Sequence, residues 1–513
     1  MKATSFFCFA LVVRVLAPAA SGKDFYVSPS GSDSNPGTIE RPWQTLAKAN
    51  GTKFEAGDRL LLQGGGEFVG PLALGSDDSG TEGRRVVVTS YARGAATILG
   101  GTGRAISSDG CDYVEFRNLK LVGAGRKTGS TASGLYVAHG RGVVVDKVEA
   151  SGFRTSGVEV SGVQDARITN VHAHENGFAG ISSGGDRSSN LYIADCLAEN
   201  NPGDPTVRAN HSGNGIVVGH ADGAVIERCE ARYNGWDMVW TGNGPVGIWT
   251  YESDRVVIQQ CVAHHNRSTG SDGGGFDLDG GVTNSIVQYN YSHDNYGAGY
   301  LICQYEGAGP LENNTVRYNI SQDDGVKDHN AGIYVWVGGK GMRSSLVHNN
   351  TVYNNKGSAV VIGADGKYAA ETPRFDFYNN IFVSLGDQVK GAWKGRFAGN
   401  MYWSMGERGF RVEGFDSFEK WVAATGQEKV GGQVVGRFGD PMLAKDGPGL
   451  VSEPAGLALL HEYRLMPGSA ACGMGLDLAV VTGAPAGERD FYGNRLPARG
   501  PQCAGAYEAS GRR

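Results

Sequence analysis

Residues 274–281 read Gly-Gly-Phe-Asp-Leu-Asp-Gly-Gly, with two acids, Asp277 and Asp279, two positions apart between glycine pairs. In an extended strand, residues two apart share a face, and their Cα atoms stand about 6.6 Å apart at a rise of ~3.3 Å per residue. Carboxyl groups held that close oppose each other's ionisation, so one can stay protonated as a general acid while the other is the base. This is the chemistry of glycosidic-bond hydrolysis. Aspartate is disfavoured in strands, so two of them on one strand point to a purpose other than strand formation. Asp272 is a third acid close by, able to join the catalytic pair or to bind Ca²⁺ with it and loop carbonyls. No other cofactor is required. No metal-ligating residues are assigned, because His264-His265 lack a third spaced ligand.

The elements that hold this segment are legible as a repeat. Between residues 142 and 363 a nine-residue frame recurs at intervals of 25–33 residues, ending at Asn176, Asn201, Asn234, Asn266, Asn295, Asp324 and Asn355. Eight residues before each end, counting back to a weaker first copy, stand Val144, Ile168, Ile193, Ile226, Ile258, Val287, Val316 and Val347. This is a β-branched column suited to a pleated surface. A second column runs Ala173, Ala198, Ala231, Ala263, Ser292 and Ser321, and a third runs Cys196, Cys229, Cys261, Asn290, Asn319 and Asn350. Stacked coils explain all three, because each turn sets equivalent side chains over one another at the strand spacing. The expected fold is therefore all-β, a right-handed parallel β-helix with an N-terminal cap and an irregular C-terminal extension. The cysteines form a buried thiol ladder in it and the asparagines a hydrogen-bonded one.

After each frame comes a loop and then a Gly-apolar strand start, with long loops at 202–214, 235–246, 267–274 and 325–331. Insertions on one edge of a solenoid build its binding face. Alternation then sends Trp249 and Tyr251, Asp277 and Asp279, Leu301 and Cys303, and Tyr334 and Trp336 outward on neighbouring coils. Exposed aromatic rings offer apolar faces for sugar rings to stack on, so Trp249, Tyr251, Tyr334 and Trp336 are expected as substrate subsites. Asp237, Glu306, Lys327 and His329 lie on or beside the long loops and are expected to reach the groove.

With 81 glycines among 513 residues, the chain turns sharply and often. A net charge of −6 and a pI near 6.0 supply no basic field for phosphate, which argues against nucleic acid as a partner. The apolar run from Phe6 to Val13, followed by Ala17-Pro18-Ala19-Ala20, reads as a signal peptide over 1–22 of a secreted, extracellular or periplasmic, monomeric protein. No later run is long enough for a membrane span. Residues 23–105 are read as cap and first coils, 106–384 as β-helix coils, and 385–513 as late coils and extension. In the extension, Asp416 to Ala424 reads as a short helix with Asp416 as N-cap, and pairing of Cys472 with Cys503 is left open.

The segment from Asp24 to Ala49, DFYVSPSGSDSNPGTIERPWQTLAKA, resembles the N-terminal cap of secreted right-handed β-helix carbohydrate-active enzymes, and residues 490–508, DFYGNRLPARGPQCAGAYE, resemble their closing strand. This pectate-lyase-like class includes polysaccharide lyases, glycoside hydrolases and alginate epimerases. The 274–281 segment is similar to the Gly-Phe-Lys-Leu-Gly-Gly stretch of β-helix pectate lyases that use lysine as base, with Asp277 where the lysine would stand. The resemblance implies a polysaccharide or oligosaccharide substrate, and the departure favours hydrolysis over elimination. The polygalacturonase motifs Asn-Thr-Asp and Gly-His-Gly are absent. The leading expectation is a polysaccharide-degrading glycoside hydrolase with Asp277 and Asp279 as its acid–base pair. The alternatives are a uronate lyase or C5-epimerase in the same groove, with Lys327 and the aspartates as its parts, and a non-catalytic carbohydrate-binding β-helix.

Overall fold

A computed structural model describes residues 22–509 apart from 128, 328–330, 372–373, 392–393, 446–448 and 450. All but the last residue of the expected signal peptide, and His329, lie outside the described residues. The chain winds as a parallel β-helix whose strands pair with their equivalents in adjoining turns, apart from a short antiparallel pair, Lys429–Val430 and Gln433–Val434, in the C-terminal part. One sheet has twelve strands, from Leu72–Leu74 through Asn214–Gly219, Val246–Tyr251, Gly274–Leu278, Tyr300–Gln304 and Ala331–Val337 to Val389–Gly391. Most of the other strands stack in two runs, exemplified by Asp254–Gln259 over Ile286–Gln288 and by Val262–His264 over Tyr291–His293.

The three sequence columns are rows of the helix interior. Ile168, Ile193, Ile226, Ile258, Val287, Val316 and Val347 are in register from coil to coil and at most 2% exposed. The weaker first copy is corrected by one residue: Val145, not Val144, stacks against Ile168. A one-residue slip exchanges the two faces of a strand, so Val145 is buried while Val144 faces outward.

At two corners the backbone turns through positive φ, as at Gln260 (+54°) and His265 (+56°), and side-chain ladders satisfy the buried amides there. In one ladder Asn176, Asn201, Asn234, Asn266 and Asn295 each donate from Nδ2 to the carboxamide or carboxylate oxygen of the next coil, ending on Asp324. The other begins with the buried thiols Cys196, Cys229 and Cys261 and continues through Asn290, Asn319, Asn350, Asn380 and Asn400 to Glu428.

The C-terminal part covers the last coils. Trp421 of the helix Phe418–Thr425 is fully buried against Phe397 and Tyr402. The N-cap is Ser417 rather than Asp416: its hydroxyl accepts from Lys420 N, while Asp416 pairs instead with the Lys420 ammonium. Segments further on fold back along the solenoid, where Tyr291 donates to Gly449 O and Ala506 N to Thr351 Oγ1. Cys472 and Cys503 are not joined as a disulfide, and their thiols interact with each other.

Candidate active site

Gly274–Leu278 lies inside the twelve-stranded sheet. Register places Trp249, Asp277, Leu301 and Tyr334 in one row across four coils. Cys303 and Trp336 share the row beside it, and Asp279 N donates to Thr250 O at 2.9 Å, extending the pairing past the strand's end. These outward rows floor a cleft of about 650 Å³. Its walls come from three of the long loops. Residues 202–214 supply Asn210 and His211, residues 235–246 supply Asn243 and Gly244, and residues 267–274 supply Ser271 and Asp272.

The three acids meet here. Asp277 points outward from the helix as alternation requires, yet it is only 3% exposed because the loops wall it in. Its Oδ1 is buried with no hydrogen-bond partner, so nothing stabilises its anion, and burial plus the charges of Asp279 and Asp272 raise its pKa far above the carboxylate range. Asp279 accepts from Gly280 N at 2.8 Å, and burial lifts its pKa to about 7. Asp272 sits at φ +60°, a left-handed position that turns the chain so that its Oδ2 accepts from Gly244 N at 2.8 Å. Burial raises its pKa to about 6, opposed by the Gly244 N–H and the Lys327 ammonium. Three carboxyls with pKa values spread upward from about 6 can hold acid and base forms together near neutral pH.

The aromatic residues divide into two kinds. Tyr251, Tyr334 and Trp336 are partly exposed along the cleft. Trp249, expected as an exposed platform, is only 6% exposed: its Nε1 donates to Asn214 Oδ1 at 3.0 Å, and the rings of His211 and Tyr251 pack 5.5 and 5.4 Å away. It is a wall more than a platform. Gly219, next to Tyr251 in register, makes room for that ring, since a Cβ there would stand 2.2 Å from it. Trp336→Ala is expected to raise KM about tenfold, equivalent to about 1.4 kcal/mol, with a smaller change in kcat; steady-state kinetics on an active oligosaccharide would check this.

Other expected groove residues are placed elsewhere. Asp237 is tied at 2.6 Å to both Arg126 and Lys127, outside the cleft lining. Glu306 is exposed and pairs with Lys367, so a surface ion pair accounts for it. Lys327 stands near enough to Asp272 to act on its charge, but its ammonium donates to Ser268 O at 3.4 Å and it does not line the cleft.

Sequence reasoning passed over Asn214 and His211. Asn214 is a bracket: Oδ1 accepts from Trp249, while Nδ2 lies within hydrogen-bond distance of Phe178 O and His211 Nδ1. His211 is kept neutral by burial, which lowers its pKa to about 4. A signal for Asn214 existed. It occupies a strand-start row filled in neighbouring coils by Ala179, Val246 and Gly274, so it is a lone polar side chain in a row of small or apolar ones.

A family model described as the Pel9A-like, right-handed β-helix region matches residues 25–330, more than half of the chain and all of the three-acid segment. The chain belongs to the Pel9A-like β-helix family. Among curated proteins, this Pel9A-like chain is 28% identical over 227 residues to a lacto-N-biosidase of Bifidobacterium longum subsp. longum, a match covering 43% of this chain and 12% of that enzyme. Among solved structures it is similar to the GH136 lacto-N-biosidase of Eubacterium ramulus, with a TM-score of 0.50, 19% identity and coverage of 65% and 64% of the two chains. It is also similar to pectate lyase Pel9A, with a TM-score of 0.48, 16% identity and coverage of 96% and 97%. The Pel9A-like chain thus spans a small part of the Bifidobacterium enzyme and just under two thirds of the Eubacterium one.

Proposed function

We propose that this Pel9A-like β-helix is a secreted carbohydrate-active enzyme, and specifically a glycoside hydrolase acting on a polysaccharide or oligosaccharide in the loop-walled cleft. The observation that carries this is the convergence of Asp272, Asp277 and Asp279 on one cleft with aromatic side chains on its floor. In the cycle, Asp279 delivers its proton to the glycosidic oxygen as the C–O bond breaks. Asp272, ionised, stabilises the positive charge developing at the anomeric carbon; water then adds to that carbon and gives its proton to the Asp279 carboxylate, which restores the acid. Asp277 is the third member of the group. With a buried oxygen that no donor reaches and two acids beside it, it stays neutral through the cycle and keeps the local charge low enough for Asp279 to hold its proton. No Ca²⁺ is needed for this chemistry. The lacto-N-biosidase likeness supports a hydrolase.

The uronate-lyase alternative needs cations to neutralise a substrate carboxylate, and no lysine or arginine is among the described residues lining the cleft. A panel of neutral and uronate glycans, followed by reducing-end release and by ultraviolet absorbance of unsaturated products, tests the proposal. New reducing ends without the absorbance are expected; the absorbance, or binding with no turnover, would overturn it. The same assay should show a bell-shaped kcat/KM with its ascending limb near pH 6, where Asp272 ionises, and its descending limb near pH 7, where Asp279 loses its proton. Activity that keeps rising above pH 8 would contradict the assigned roles.

A further inference from the structure

Away from the cleft, stacking brings together three imidazoles that the sequence keeps apart. His264 and His293 are register partners in successive coils, and their rings stack at 4.6 Å with 8° between planes. His265 follows in the positive-φ corner, which turns its ring edge-on to both, at 84° and 90°. One nitrogen from each ring lies within 4.8 Å of the other two. His264 and His293 are buried, while His265 is partly exposed and open to an arriving ion.

The hydrogen bonds assign the lone pairs. His264 Nε2 meets Glu230 Oε1 at 3.3 Å, which leaves Nδ1 to accept from His265 Nδ1 at 2.8 Å, a proton whose place an incoming cation would take. His293 Nδ1 meets Asp294 Oδ2 at 3.0 Å, and its Nε2 is buried with no partner at all. Metal-ligating histidines characteristically give their other N–H to a carboxylate, which orients the ring and raises its basicity. Here two of the three do so. The unpartnered Nε2 is otherwise a buried polar atom left at a cost.

We propose that His264, His265 and His293 form a binding site for one borderline d-block cation such as Zn²⁺, with Glu230 and Asp294 as its supporting carboxylates and water in the open position. Three neutral imidazoles suit Zn²⁺, Ni²⁺ or Cu²⁺ rather than Ca²⁺ or Mg²⁺. Tetrahedral ligation at about 2.0–2.1 Å sets nitrogens ~3.3 Å apart, so binding requires the stacked His264 and His293 rings to turn until their lone pairs converge. Arg232, Arg267 and Lys356 also act on these rings and oppose a cation, while Glu230 and Asp294 favour it. His265 immediately precedes the loop carrying Asp272, so the ion would clamp two coils at the base of the active-site wall. Sequence spacing alone argued against zinc because it showed only the His264-His265 pair; the third ligand arrives one coil later.

The test uses full-length protein stripped with chelator and desalted, titrated with Zn²⁺ by calorimetry and with Co²⁺ by visible absorbance. One equivalent per chain is expected, with a tetrahedral-type Co²⁺ band and a higher Tm in Zn²⁺. His265→Ala, at a partly exposed ring, should melt like the metal-free parent and lose the saturable uptake; Asp294→Asn should weaken it about tenfold. His139→Ala, at a distant exposed histidine, should bind as the parent does. Absence of saturable uptake by the parent, or uptake by His265→Ala equal to the parent's, would overturn the site.

Discussion

Replacing Asp279 with asparagine is expected to lower kcat about 10²–10⁴-fold, the range contributed by a positioned general acid. The amide keeps an oxygen to accept from Gly280 N but has no proton to deliver. Stability should move the other way. The Asp279 pKa is raised in the folded protein to about 7, so the protonated form is favoured by folding, and its contribution is lost as pH rises from the unfolded carboxylate value, near 4, through 7. An uncharged residue avoids that loss, so Asp279→Asn should melt no lower than the parent at pH 8. Asp272→Asn should match the activity loss. Asp277→Asn should cost less, because an amide fills the same neutral place. Substrate turnover and melting curves on the three variants separate the roles: full activity in Asp279→Asn would sink the acid assignment, and a melt far below the parent would show that its loss of activity reflects folding.

The largest effect on stability is expected from Asn266→Ala, in the interior ladder. The Asn266 carboxamide accepts from Asn234 N and Nδ2 and donates to Ala231 O and Asn295 Oδ1. Alanine takes that partner from all four groups. Asn234 Nδ2 keeps Ala198 O and Asn295 Oδ1 keeps the backbone N–H of position 266, while Asn234 N and Ala231 O lose theirs inside the solenoid. Each loss costs about 1–3 kcal/mol, so with the lost side-chain packing a loss of about 3–5 kcal/mol is expected. Urea unfolding would measure it, and a loss under about 1 kcal/mol would mean that water or rearrangement replaces the ladder. The effect should also spread, because each coil is stabilised mainly by its neighbours.

The solenoid was readable from sequence because its interior is periodic. Ile193, Ile226 and Ile258 do the same task in each coil, and repetition of a physical constraint leaves repetition in the chain. The outward placement of Asp277 and Asp279 followed from the same alternation, since the strand period admits only two faces. Composition and spacing could not say how deep those acids lie. Asp277 reads as an exposed residue until the loops from 202–214, 235–246 and 267–274 close over it, and its raised pKa is a product of that closure. His211 enters the site the same way, from an irregular loop whose path no periodicity predicts, while Asn214 stands at the start of a strand and shows only as a polar residue in an otherwise small or apolar row. Asp237 and Glu306, on similar loops, are drawn off by Arg126, Lys127 and Lys367, which only folding brings near. The histidine triad marks the same boundary: local sequence supplied His264 and His265, and stacking supplied His293. Periodic backbone geometry determines which face a residue occupies. Burial, charge partners and the meeting of distant side chains are decided by tertiary packing, because they depend on what covers that face.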